Sequence, residues 1–104
     1  MPRYIETYSH GGQIGVLVEF RADDDFSFKT IEFRELAKAI AVHVAAANPA
    51  AVANGQEILS LLNQRYVKDE SKSVRELIQA CEEKLKVNLR VLRYCRYATT
   101  EGER

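Results

Sequence analysis

Asp23, Asp24 and Asp25 stand side by side ahead of Phe26 in the stretch RADDDFSFKT, and no folding rule alone asks for that arrangement. Like charges that close repel in any backbone conformation. Carboxylates in a cluster can serve acid-base catalysis, but no base, nucleophile or oxyanion device is expected beside these. A loop that bears this repulsion and also displays an aromatic ring suits contact with a partner. The competing expectation is a solvated turn whose Phe26 folds back under the next helix, and on residue types alone it is the more economical one.

The other chemistry-bearing side chains are scattered. His43 lies at the border of an apolar helical stripe, where a helix-surface position is expected, and no second His, Cys or carboxylate is spaced to share a metal with it. Cys81 falls in an expected helix and Cys95 in an expected strand, too far apart in sequence for a zinc or redox motif, so both are read as reduced core thiols. No P-loop, dinucleotide fingerprint or nucleophile elbow occurs. The sequence therefore points to a protein that is not an enzyme, with no cofactor and no metal.

With 104 residues and 46% apolar content, one compact domain over residues 1–104 is expected, with a frayed polar tail from Ala98 to Arg104. The formal charge is zero, which argues against nucleic acid or an anionic membrane as a direct partner. Charge is unevenly placed, however. Lys84, Lys86, Arg90, Arg93 and Arg96 fall in a stretch without acids, while Glu19 and Asp23 to Asp25 form an acidic end. No apolar run reaches the roughly 20 residues of a membrane span, and MPRYIETY lacks a signal-peptide pattern. A cytoplasmic location is expected, with an organelle stroma or matrix as the alternative.

These residues need a scaffold, and the pattern supplies one. Arg3 to Ser9 alternates as a strand, His10-Gly11-Gly12-Gln13 supplies a hairpin turn, and Ile14, Val16, Val18 and Phe20 share one face of a second strand. That strand's nearly unbroken apolar run predicts a central or doubly covered position. Thr30 is the expected cap of a helix whose Phe33, Leu36, Ala37, Ile40, Ala41 and Val44 make its buried stripe, and Asn48-Pro49 should end it. A short connection over Ala50 to Gly55 leads to a brief apolar helix around Ile58 to Leu62. Ser73 and Glu76 form a capping box for a helix buried through Val74, Leu77, Ile78, Cys81 and Leu85. Asn88 to Tyr97 reads as a final strand with Leu89, Val91, Cys95 and Tyr97 on one face and Arg90, Leu92, Tyr94 and Arg96 on the other. The second set is the candidate face for a homodimer. The fold class is α+β: two layers, with a three-stranded antiparallel sheet and helices packed on one face.

The segments GGQIGVLVE, the DF after it, EFRELAKAIAVHVAAANP, LLNQRYVKDESKSVRELI and RYCRY, in this order, resemble the core (dimerisation) domain of elongation factor Ts. The resemblance runs from about Tyr4 to Pro49 and from Leu59 to Tyr97. It implies a factor that strips GDP from elongation factor Tu during translation. In the family a Thr-Asp-Phe-Val motif after the second strand presses its Phe beside the magnesium site of Tu, and Asp25 and Phe26 match its Asp-Phe pair. Asp24 takes the place of the motif's Thr, and His43 matches a helix His that can meet Tu. The implied partner-binding residues are thus Asp24, Asp25, Phe26 and His43.

Some positions depart from the family pattern. Ser27 stands for Val, Arg65 for Pro, and Lys86 for a Gly after the last helix, where a left-handed backbone would cost a non-glycine on the order of 1 kcal/mol. A shortened form is expected, without the family's N-terminal helical module and without the helical insertion near Ala50 to Gln56. Two functions follow from the resemblance: an exchange factor that acts through the Asp25-Phe26 wedge, or a non-exchanging binding or dimerisation module of the same ancestry.

Overall fold

The computed structural model describes residues 1–47 and 56–99. Strands β1 (Arg3–His10) and β2 (Ile14–Ala22) pair antiparallel from Arg3 with Arg21 to His10 with Ile14. Their turn needs two left-handed residues, which Gly11 (φ 59°) and Gly12 (φ 71°) supply, and the Gln13 amide donates to the His10 carbonyl at 3.0 Å. Strand β5 (Leu89–Ala98) returns antiparallel on the far side of β2. The sheet order is therefore β1-β2-β5, with β2 central.

One face of this sheet is covered by helices, giving the α+β two-layer arrangement. A short 3-10 turn, Phe26–Lys29, leads into α1 (Ile31–Ala47). Thr30 caps α1 as expected: its Oγ1 accepts from the Phe33 amide at 3.1 Å and donates to the Ser27 carbonyl at 2.7 Å. Helix α2 (Gln56–Asn63) and helix α3 (Val74–Leu85) complete the layer. The capping box is present, with the Ser73 hydroxyl accepting from the Glu76 amide at 3.1 Å and the Glu76 carboxylate accepting from the Ser73 amide at 2.8 Å. Helix α3 ends on Lys86 at φ 57° and ψ 42°, so the position where the resemblance placed a glycine is left-handed in this chain.

Val18 and Phe20 of β2 meet Phe33, Ile40 and Val44 of α1 in the core, all at 1% exposure or less. Phe33 is the hub. Tyr4 and Phe20 approach it edge-on at centroid distances of 5.2 and 5.3 Å, and Phe28 lies 5.0 Å away. Each such ring pair adds about 0.5–1.5 kcal/mol beyond its burial.

Strand β2 is central, as its apolar run predicts, and four features go beyond the sequence reading or differ from it. First, β2 is covered on one face only, since Leu17 remains 46% exposed. Second, β5 does not keep a single alternation: Phe20 pairs with Val91 but Glu19 with Arg93, so Leu92 is an extra residue. Such a bulge shifts the parity of everything after it. Leu89 and Val91 are core residues, whereas Cys95 and Tyr97 emerge on the open face, so Cys95 is an exposed thiol rather than a core one. Third, residues before α3 form a small hairpin of β3 (Arg65–Tyr66) and β4 (Asp69–Ser73), which no apolar alternation announces. Fourth, Ala98 is not frayed; it closes β5 opposite Ile14. The Asn48-Pro49 stop, the connection over 50–55 and the tail beyond Thr99 lie outside the described residues.

Candidate contact site on the acidic turn

The acidic turn is organised by its own carboxylates. Asp24 Oδ1 accepts from the Ser27 amide at 2.9 Å and from the Ser27 hydroxyl at 2.7 Å, which caps the 3-10 turn. Those bonds, the hydroxyl's first, hold the Asp24 carboxyl below the usual aspartate range against a smaller opposing effect of burial. Asp23 Oδ2 accepts from the Asn88 amide at 2.9 Å and from its side-chain nitrogen at 3.3 Å. Asp25 is exposed and gives the turn no side-chain cap. Two of the three carboxylates thus meet N–H or O–H donors that offset their repulsion, and the third faces solvent.

On this mount the Phe26 ring is 72% exposed, so it does not fold back under the helix. The residue that folds back is Phe28. It is buried against Tyr4 and Phe33, while Arg34 Nε donates to its carbonyl at 3.1 Å. The sequence reading missed this anchor, though the i, i+2 pair Phe26 and Phe28 was its available signal. It also missed Asn88, whose bond to Asp23 spans 65 residues and leaves no trace in spacing.

His43 is not on the helix surface. It is fully buried in α1, and both ring nitrogens are engaged: Nε2 meets Gln64 Oε1 at 2.8 Å and Nδ1 accepts from the Val67 amide at 3.2 Å. These partners set a neutral ring with its proton on Nε2. The side chain ties α1 to the β3-β4 hairpin, beside Tyr66 at a centroid distance of 6.1 Å. The structure therefore does not join His43 to the exposed surface around Phe26.

The four residues expected to share a dimer face are divided by the bulge. Arg90 lies opposite Arg21, on the open side of the sheet, but Tyr94 packs against the core and Arg96 Nε reaches the Ala45 carbonyl at 3.0 Å. Leu92 sits at the bulge, half-buried. The open face is instead lined by Ile5, Leu17 and Tyr97, exposed by 53%, 46% and 78%. Glu19 crosses it between Arg93 and Arg3; the Arg93 hydrogen bond above all holds its carboxyl below the usual glutamate range. Among the described residues no group of three or more His, Cys, Asp or Glu could hold a metal, and no helix is long and apolar enough to cross a membrane.

A hydrogen-bonded turn thus holds an aromatic ring and an exposed carboxylate out to solvent on a two-layer α+β unit. Comparison with known proteins gives it a lineage. The family model described as Elongation factor TS matches residues 1–58. The chain is 31% identical to elongation factor Ts of Alkaliphilus oremlandii over 137 aligned positions, which cover 94% of this chain and 63% of that protein. It is 30% identical to the factor from Caldanaerobacter subterraneus and 32% identical to that from Acaryochloris marina, spanning 69% and 58% of their lengths. The chain belongs to the elongation factor Ts family. Because the matched span in these relatives is longer than the 104 residues here, they carry extra residues within it, in keeping with the shortened form expected.

Proposed function

We propose that the chain promotes GDP release from elongation factor Tu by pressing Phe26, with Asp25 beside it, next to the site where Tu holds magnesium and nucleotide. The observation that carries this reading is the Phe26 ring, 72% exposed on a turn held by the hydrogen bonds of Asp23 and Asp24 and by buried Phe28. An apolar ring held in water gains when a partner's pocket covers it. No bond is made or broken in this role. The chain acts as a coupling device in the cytoplasm, without a cofactor of its own.

Linkage makes the proposal measurable. If the wedge displaces groups that grip GDP, GDP must weaken the wedge's binding by the same factor. Titrating Tu with this chain at several GDP concentrations should give equal coupling in both directions. Binding of the chain that leaves GDP affinity unchanged would refute the exchange role.

A second reading, a dimerisation module, is favoured by the open sheet face with Ile5, Leu17 and Tyr97 uncovered. Arg3, Arg21 and Arg90 form a cross-strand row at one end of that face, so two copies would have to meet with these rows apart. Sedimentation of the chain and its Leu17→Glu variant tests it: a dimer that the substitution dissolves supports this role, and a monomer in both removes it.

A further inference from the structure

We infer that Asp23 is a positioning residue for the exposed Phe26, clamping the acidic turn to the start of β5 through Asn88; this rests on the exchange reading above. Ala22 pairs with Leu89 as the last step of the β2-β5 ladder. One residue further out, the ladder is continued by a side chain: the Asp23 carboxylate accepts from the Asn88 amide at 2.9 Å and from its side-chain nitrogen at 3.3 Å. Asn88 is itself held. Its neighbour Leu89 donates its amide to Glu82 Oε2 at 2.8 Å, and Lys86 closes α3 by donating to the Glu82 carbonyl at 2.7 Å.

The bonds form a continuous path from α3 through Asn88 and Asp23 to Asp24, Ser27 and Thr30, with Phe26 inside the last turn. Asp24 fixes the shape of the turn and Phe28 anchors its inner side on Tyr4 and Phe33, while Asp23 ties its outer side to the sheet edge at Asn88. A wedge transmits displacement only if its mount does not yield, so loss of the clamp should weaken the ring's action on a partner without removing the ring. Because the Asp23-Asn88 contact is solvent-exposed, water can replace it, and the fold should tolerate its loss.

The chain has no tryptophan, so Phe26→Trp places a single reporter at the tip. In that variant Asp23→Ala should lower tryptophan anisotropy with little change in the thermal midpoint, and Asp23→Asn, whose amide oxygen can still accept from Asn88, should restore it. With Phe26 present, Asp23→Ala should slow GDP release from Tu at saturating chain by about fivefold, the size one net hydrogen bond can supply. Asp23→Asn should recover most of that rate, and Asp23→Ala should add nothing once Phe26 is Ala. Unchanged anisotropy, or full release activity in Asp23→Ala while Phe26→Ala is inactive, would overturn the positioning role alone. Full activity in Phe26→Ala would overturn the exchange reading and this inference with it.

Discussion

Phe26 and Phe28 occupy one 3-10 turn two residues apart, the first 72% exposed and the second 7%. The same side-chain chemistry therefore divides into a displayed ring and an anchor. Replacing Phe28 by Ala should cost about 3–5 kcal/mol, because it opens a cavity against Tyr4 and Phe33. Phe26→Ala should change stability by no more than about 0.5 kcal/mol. Urea unfolding of the two variants checks the contrast, and equal losses would mean that Phe26 is a core residue.

His43 makes a different kind of prediction. His43→Ala removes a buried ring and the acceptor of the Val67 amide, and leaves Gln64 Oε1 without its donor. A loss of about 2–4 kcal/mol is expected. Hydrogen exchange separates the hairpin's share: the Val67 amide should lose protection more than amides in β2.

Glu19 sets an acid limit on the open face. Its carboxyl titrates below the usual range chiefly because Arg93 donates to it, with Arg3 adding to the effect. A carboxyl with a lower pKa folded than unfolded stabilises the fold above its unfolded value, and that contribution is lost as pH falls through the folded one. Glu19→Gln should thus be less stable than the parent at neutral pH, and the gap should close on acidification. A gap that is constant with pH would show that the ion pairs contribute nothing.

Lys86 holds a left-handed backbone, with φ 57° and ψ 42°, that glycine adopts without a Cβ clash. Lys86→Gly should raise stability by about 0.5–1 kcal/mol, since relief of strain outweighs the added freedom of the unfolded chain. The denaturant midpoint should rise at constant slope. A fall would mean that the lysine side chain contributes more than its backbone costs.

Much of the scaffold was legible because it rests on local rules. The Gly11-Gly12 turn, the Thr30 cap and the Ser73-Glu76 box each involve residues within four positions of one another, and each is present. Periodicity placed the α1 stripe and the central β2 for the same reason. The parts that escaped depend on distant partners. The bulge at Leu92 exists only where β5 meets Glu19 and Phe20, and strict alternation then assigns Cys95, Tyr94 and Arg96 to the wrong sides. His43 is buried because Gln64 and Val67 come over it from beyond α1, which no pattern within the helix reveals. At the acidic turn the exposed ring was one of two expectations, and the tie to Asn88 across 65 residues was outside reach.

The central claim is that an exposed ring on a fixed turn loosens a neighbour's hold on GDP. Stopped-flow release of a fluorescent GDP analogue from elongation factor Tu, with saturating parent chain or its Phe26→Ala variant, tests it most directly. The account predicts faster release with the parent and loss of most of that acceleration in the variant, at an unchanged unfolding midpoint. Equal acceleration by both chains, or none by the parent, would contradict it.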